Sequence, residues 1–348
     1  MVKRIISFFM AMLLLCSYPV TLFACENSMK NETNDLVEVI EREDEYYRVI
    51  RSYFNNQSLY TDEGNINFDK LVTILKLLGM DDYSIAMLDD EAIRACADGK
   101  ELYYITSYTK NDADGNVVYI TKDEALQSVS ELKIRQKQLL NNIINAEDSE
   151  RSRAITSYQD SFSDSYMVIN YLVSHEGSGY YFYSVSSVWL TMPYFRGIDS
   201  LGSCAQNSTV SNNTRFGYCW YGVTEYDSGN ITTNSVTTYS GISYGNAANG
   251  NWYGAACSFN LPDDYFSDDY YIVYDGFGAH FQYSGYINYP TVESWFNAVG
   301  SYTHTRWNVS FSPSFTITYP ASVSASIGLN VNQTTDIRGA EVLIHHVP

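Results

Sequence analysis

Lysine disappears from this 348-residue chain after Lys137, and charge of either sign thins out with it. Residues 26–150 hold 39 charged side chains in 125 positions, whereas residues 151–348 hold 20 in 198. Basic residues are scarce throughout, with 21 Lys and Arg against 40 Asp and Glu and a net charge of −19. Nucleic acids and anionic lipid surfaces are bound by Lys and Arg that neutralise phosphate, so this balance argues against both as main partners. Long apolar runs are missing too. After the first 25 residues nothing approaches the roughly 20 residues that span a bilayer. Cysteine is sparse: only Cys96, Cys204, Cys219 and Cys257 follow position 25.

What is present at the start is a compact address. Lys3-Arg4 leads into an apolar run from Ile5 to Cys16, Pro19 breaks it, and Ala24 offers a small residue before a cleavage point. Charged n-region, short h-region and small residue make residues 1–24 a signal peptide, so export is expected. Leu22-Phe23-Ala24-Cys25 resembles the lipobox of bacterial lipoproteins. That resemblance implies acylation of Cys25 and attachment to the outer face of the cell membrane. A diacylglyceryl group brings two chains, as stable anchoring requires. The alternative is cleavage after Ala24 and release as a soluble, secreted protein. With four cysteines left beyond Cys25, disulfides are permitted in an exported chain. Cys204 and Cys219 are the candidate pair, because a hairpin can close their separation.

The fall in charge near residue 150 divides the mature chain into residues 25–155 and 156–348. All five Trp and all five His lie in the second part. The first part reads as charged and mainly helical. Helices are expected from Asn34 to about Asn55, from Asn67 to Leu78 with Gly79 as stop, and from Asp89 to Ala97. Another runs from the Thr121–Glu124 capping box to about Ala146. One small hairpin, 102–108 with 117–120, surrounds Asp114-Gly115. The second part alternates, with strands expected at 166–173, 180–190, 215–226, 231–239, 270–274, 280–287, 306–319, 322–329 and 340–344. Many short strands rich in Tyr, Thr and Ser predict an antiparallel sandwich. The fold class is α+β, a helical N-terminal domain followed by an aromatic-rich all-β domain.

Several motifs carry candidate chemistry. Gly217-Tyr218-Cys219-Trp220-Tyr221 with His280 resembles the cysteine segment of CHAP-type cell-wall amidases, which implies a Cys219–His280 hydrolase. The chemistry needs a thiolate, usually at a helix N-terminus, whereas Cys219 falls in an alternating stretch. Gly241-Ile242-Ser243-Tyr244-Gly245 matches the nucleophile-elbow pattern, but Asn246 to Gly250 reads as loop where a helix is needed. Asp112-Ala113-Asp114-Gly115-Asn116 lacks the first and twelfth ligands of a calcium loop and reads as a turn. Asp263, Asp264, Asp268 and Asp269 place four carboxylates within seven residues, a candidate Ca²⁺ site. Arg196 and Asp199 are expected to form a local ion pair. His345 and His346, as strand neighbours, point to opposite faces and make a poor chelating pair.

Trp189, Trp220, Trp252, Trp295 and Trp307 are the candidate binding residues, since an apolar face with a polar handle suits recognition of sugars or proteins. The expected function is therefore non-enzymatic: a lipid-anchored surface protein that contacts an envelope polymer, carbohydrate or protein surface, without a cofactor. The alternatives are the cysteine-dependent cell-wall hydrolase and a secreted adhesion or shell component.

Overall fold

The computed structural model describes residues 37–41, 48–53, 59–112, 116–160, 165–227, 230–239, 242–267, 270–305, 314–320, 325–330 and 335–348. Most of them lie in antiparallel strands. The signal segment, Cys25 and Trp307 fall outside the described residues.

Local chemistry explains the helices that were expected. In α1 (Phe68–Leu77) the Asn67 side chain caps the N-terminus by accepting from Lys70 N at 3.2 Å, and Gly79 leaves it at φ +90°. Asp81 and Asp89 cap α2 (Asp82–Ala86) and α3 (Asp90–Asp98), each accepting an amide at 2.7 Å. Thr121 caps the long α4 (Lys122–Ile144) by accepting from Glu124 N at 3.2 Å. A fifth helix, α5 (Asp148–Asp160), follows and packs on α4.

The described residues of the segment expected as a helix over 34–55 are strands instead. The segment holds two strands, β1 (Val37–Glu41) and β2 (Arg48–Tyr53), which pair with each other. Its Val and Ile positions fit period 2 as readily as 3.6. The edge of β3 (Glu101–Asn111) decides between them, pairing Ile50 with Tyr104 and Tyr53 with Glu101. β4 (Val117–Ile120) closes the expected hairpin on β3.

The larger sheet continues through β5 (Tyr166–Gly177) and β6 (Tyr180–Trp189) to β14 (Tyr270–Ile287), β9 (Phe216–Asp227) and β10 (Asn230–Tyr239). Short strands β8 (Ser208–Val210) and β13 (Tyr265–Phe266) also pair with β14. The two strands expected at 270–274 and 280–287 are one. Gly276 and Gly278 between them remain extended, with a register shift between Tyr274 and Gly276. Gly278 lies beneath the Trp220 ring, which leaves no room there for a Cβ. The change of composition near residue 150 is not a break in the sheet: β3 pairs with β5 from Glu101–His175 to Lys110–Tyr166.

A second sheet of five strands has the order β11 (Ser243–Asn249), β12 (Trp252–Asn260), β7 (Ile198–Gln206), β15 (Ser294–Thr305), β18 (Thr335–His346). Its inner residues share one core with the larger sheet, so the two make a sandwich. The outer face of the larger sheet is capped by α1–α3, which bury Leu71, Leu75 and Ile93 against Leu102, Tyr104 and Leu172. The outer face of the smaller sheet is partly covered by the hairpin β16 (Phe315–Thr318) and β17 (Ser326–Leu329), with Ile317 and Ile327 packed near Cys204 and Trp252. Among the described residues no helix is long and apolar enough to cross a membrane.

Candidate functional site

Strand alternation sorts the candidate residues by face. β9 and β14 run antiparallel with Cys219 opposite Ala279 and Tyr218 opposite His280. Cys219 points into the sandwich core, whereas Tyr218 and His280 point out toward the helical cap, their rings 5.1 Å apart. The structure thus places Cys219 and His280 on opposite faces of one sheet. Burial also pushes the Cys219 thiol up to about 12, away from the thiolate a nucleophile needs.

His280 belongs to a different network. Its Nε2 lies 2.9 Å from Gln282 Oε1, which can only accept, so Nε2 carries the proton. Gln282 Nε2 donates in turn to Asp89 at 3.0 Å and to Glu91 at 3.3 Å. Burial lowers the pKa of His280, the Gln282 contact opposing it, and the ring is neutral. Its Nδ1 is buried and has no protein partner beside a small cavity under the cap, lined by Ser84, Met87, Tyr104, Asn170 and Ser186. Such a site suits an ordered water. The network's other bonds are structural: Tyr218 donates to Met87 O at 2.8 Å and Trp220 donates to Tyr83 at 3.1 Å, pinning the cap to the sheet.

The expected Arg196–Asp199 pair is replaced by two others. Arg196 grips Asp264 through Nη1 and Nη2 at 2.7 and 3.0 Å, and Asp264 also accepts from Tyr274 N. A carboxylate with both oxygens committed to a buried guanidinium is a poor calcium ligand. Asp263, beside it, has its pKa raised by partial burial, and Asp268 and Asp269 lie outside the described residues. Among the described residues no three His, Cys, Asp or Glu side chains converge as a metal site. Asp199 turns inward. It accepts from the Tyr302 hydroxyl at 2.5 Å, His304 Nδ1 at 2.9 Å and Thr305 N at 3.1 Å, and Tyr302 accepts from Trp189 Nε1. Sequence reasoning missed this knot. The signal was the alternation of Tyr302 and His304 on one face of a strand that was not recognised.

Cys204 and Cys219 are not brought together. Cys204 faces outward beneath β16–β17 and Cys219 inward, both buried thiols. Ser243 begins the edge strand β11, paired with Ser258 of β12, and is followed by strand where a nucleophile elbow needs a helix.

Of the tryptophans, Trp189, Trp220 and Trp252 are core residues with at most 4% exposure. Trp295 is 55% exposed and stands apart. On the outer face of β15 its indole stacks on His345 of β18, with centroids 4.1 Å apart and planes 3° from parallel. His345 Nε2 is held by Glu293 at 2.7 Å. His346, the next residue, points inward, where Nδ1 meets the Tyr181 hydroxyl at 2.9 Å and Nε2 meets Pro290 O. Asn297, Leu343 and Gln206 continue the half-exposed outer face beside Trp295, across β15, β18 and β7. The result is an indole fixed in orientation, with one face occupied by imidazole.

No family model matches the chain, and none of the curated proteins matches it. Among solved structures, the delta-toxin of Clostridium perfringens is similar at 8% identity, over 70% of this chain and 90% of that one, with a TM-score of 0.21. A superposition that loose carries no functional argument.

Proposed function

We propose that this is an exported surface protein, anchored through acylated Cys25, that binds a neutral envelope glycan on the outer face of its smaller sheet. The observation that carries the reading is the Trp295–His345 stack. An exposed indole costs solvation unless something covers it, and this one is already ordered, so little side-chain entropy is lost on binding. The apolar face of a pyranose matches an indole. The acidic balance of the chain repels polyanionic polymers and leaves neutral glycans as the preferred class. The hydrolase reading has no such support, since its two residues face away from each other.

The test is co-sedimentation of the purified chain with insoluble cell-wall polysaccharide stripped of its anionic polymers, next to Trp295→Ala. Retention of the wild type and loss with the variant is expected. Equal retention of both sinks the assignment. Intact mass of the membrane-extracted protein checks the anchor separately, because acylation of Cys25 adds a lipid mass.

A further inference from the structure

The cysteines of the described chain fall into three separate apolar clusters. Cys96 lies under the cap with Leu71 and Leu75, and Cys204 lies beneath β16–β17. Cys219 and Cys257 share the third, the core between the sheets. They come from opposite sides of it, Cys219 on β9 of the larger sheet and Cys257 on β12 of the smaller. The Cys257 sulfur occupies the space over Gly217, 3.5 Å from where a Cβ would stand. Gly217 is the same-face neighbour of Cys219, two positions back along β9. Tyr244, the cross-strand partner of Cys257, reaches over the same spot, its hydroxyl bonded to both Gly217 N and Gly217 O at 3.1 Å. After burial, the main influence raising Cys257 is Cys219. Glycine at 217 and alanine at 279, opposite Cys219, leave little side-chain bulk on this patch of the larger sheet, and the Cys257 sulfur fills the space over Gly217.

We propose that Cys219 and Cys257 are the disulfide-forming pair of this protein, a covalent staple between the two sheets made when the chain folds in the presence of a disulfide donor. One cysteine thiolate attacks the donor disulfide, releasing one donor thiol and leaving a mixed disulfide. The second thiolate then displaces the other donor thiol. One sulfur–sulfur bond forms and one breaks; the two cysteines are oxidised by two electrons, and the donor leaves as two thiols carrying the two protons. Exchange needs thiolate, which burial suppresses in the closed core, so the bond forms before the sheets shut. Export supplies such a donor in the cell, but the chemistry is independent of that reading.

The full chain is refolded from denaturant with mixed oxidised and reduced glutathione, and in parallel with reduced glutathione alone. Each sample is then alkylated in denaturant without further reduction and mapped by peptide mass. The same map is made on protein isolated from an oxidising compartment, so failure to refold in vitro does not blunt the test. The expected result is one linked pair of peptides carrying Cys219 and Cys257, lighter by two hydrogens, with Cys96 and Cys204 alkylated. The linked form unfolds at a higher midpoint than the reduced form, and dithiothreitol removes the difference. Alkylation of both Cys219 and Cys257 in donor-treated protein overturns the proposal, as does linkage of either one to Cys96 or Cys204.

Discussion

The two sheets that meet across the core are built from different stock. The larger sends in Tyr103, Tyr171, Tyr181, Tyr183, Phe281 and Tyr283, whereas the smaller sets Ala205, Ala255, Ala298, Gly300 and Ala340 among its own Phe259, Phe296 and Tyr302. The small residues are what make room for the rings. A Cβ on Gly300 would stand 2.7 Å from the Tyr171 ring and 2.8 Å from Val185. The tyrosine hydroxyls also reach past the rings to the smaller sheet. Tyr171 meets Ser203 Oγ at 2.7 Å, and Tyr283 donates to Ser203 O at 3.2 Å. Rings of the larger sheet are therefore seated over small residues and a serine of the smaller one, so the two faces fit as a pair.

The largest break in this arrangement is expected at Asp199, where the smaller sheet does supply a polar anchor. Asp199→Ala strands the Tyr302 hydroxyl, His304 Nδ1 and the Thr305 amide in a dry interior. Breaking a buried pair by removing one partner costs about 3–5 kcal/mol. Urea denaturation should show the midpoint falling with the slope unchanged. A loss below about 1 kcal/mol would mean that water reaches the knot and that it holds nothing together.

Next comes the packing itself. Gly300→Val drives methyl groups into Tyr171 and Val185, with an expected cost of about 3 kcal/mol, the upper end of overpacking. Tyr171→Leu shrinks the intruding partner, so the double variant should lose clearly less than the sum of the two single losses. Additive losses in that cycle would show that the glycine is there for some reason other than the ring.

The same fit explains what was legible in the sequence. The larger sheet announced itself through runs such as Tyr166–Val173 and Tyr180–Trp189, where Tyr, Val and Ile mark a pleated surface. In the smaller sheet only β18 was expected. β7 reads Ile-Asp-Ser-Leu-Gly-Ser-Cys-Ala-Gln and β12 carries Gly254-Ala255-Ala256, compositions that suggest loop because the bulk lies on the partner. β11, with its Gly-Asn-Ala-Ala-Asn, failed for the same reason. The caps at Asn67, Asp89 and Thr121 were readable because each depends on one side chain and the backbone amide three residues on. The helix expected over 34–55 was not, because its strand form depends on β3, far along the chain. The candidate site was legible only as a set of five tryptophans. Which one stays outside depends on strand register, and a single residue of slip would exchange Trp295 with Phe296.

Charge separates the two regions as well, and it predicts a milder effect. Glu176, at the end of β5 in the larger sheet, faces Asp98 and Glu91 of the cap. Burial first, then those two carboxylates, pushes its pKa up to about 7. The native state thus keeps a proton that the unfolded chain has lost above the ordinary glutamate range. Stability supplied by that proton is present at low pH and falls as pH rises from about 4.5 to about 7. Glu176→Gln should flatten that part of the profile and raise the melting temperature at pH 8 while changing little at pH 4. Parallel profiles for the two proteins would show that water shields Glu176 from the cap.

The smallest effect on stability, and the sharpest contrast, is expected between neighbours on β15. Phe296 is buried in the shared core, and truncation to alanine costs about 3–5 kcal/mol by loss of transfer energy and a residual cavity. Trp295, one residue earlier, rests on His345 at the surface, and Trp295→Ala should cost less than about 1 kcal/mol, the range of an exposed aromatic pair. Fluorescence reverses the ranking. Trp189, Trp220 and Trp252 are sealed in the interior, so among the described tryptophans Trp295 is the one within reach of acrylamide. Measured with Trp307 replaced by phenylalanine throughout, Trp295→Ala should remove most of the quenchable emission, and a bound glycan should protect the Trp295 form from quenching to the same extent. If the glycan binds yet the indole stays fully quenchable, the ligand rests elsewhere on the molecule, and the ordered Trp295–His345 stack belongs to the fold alone.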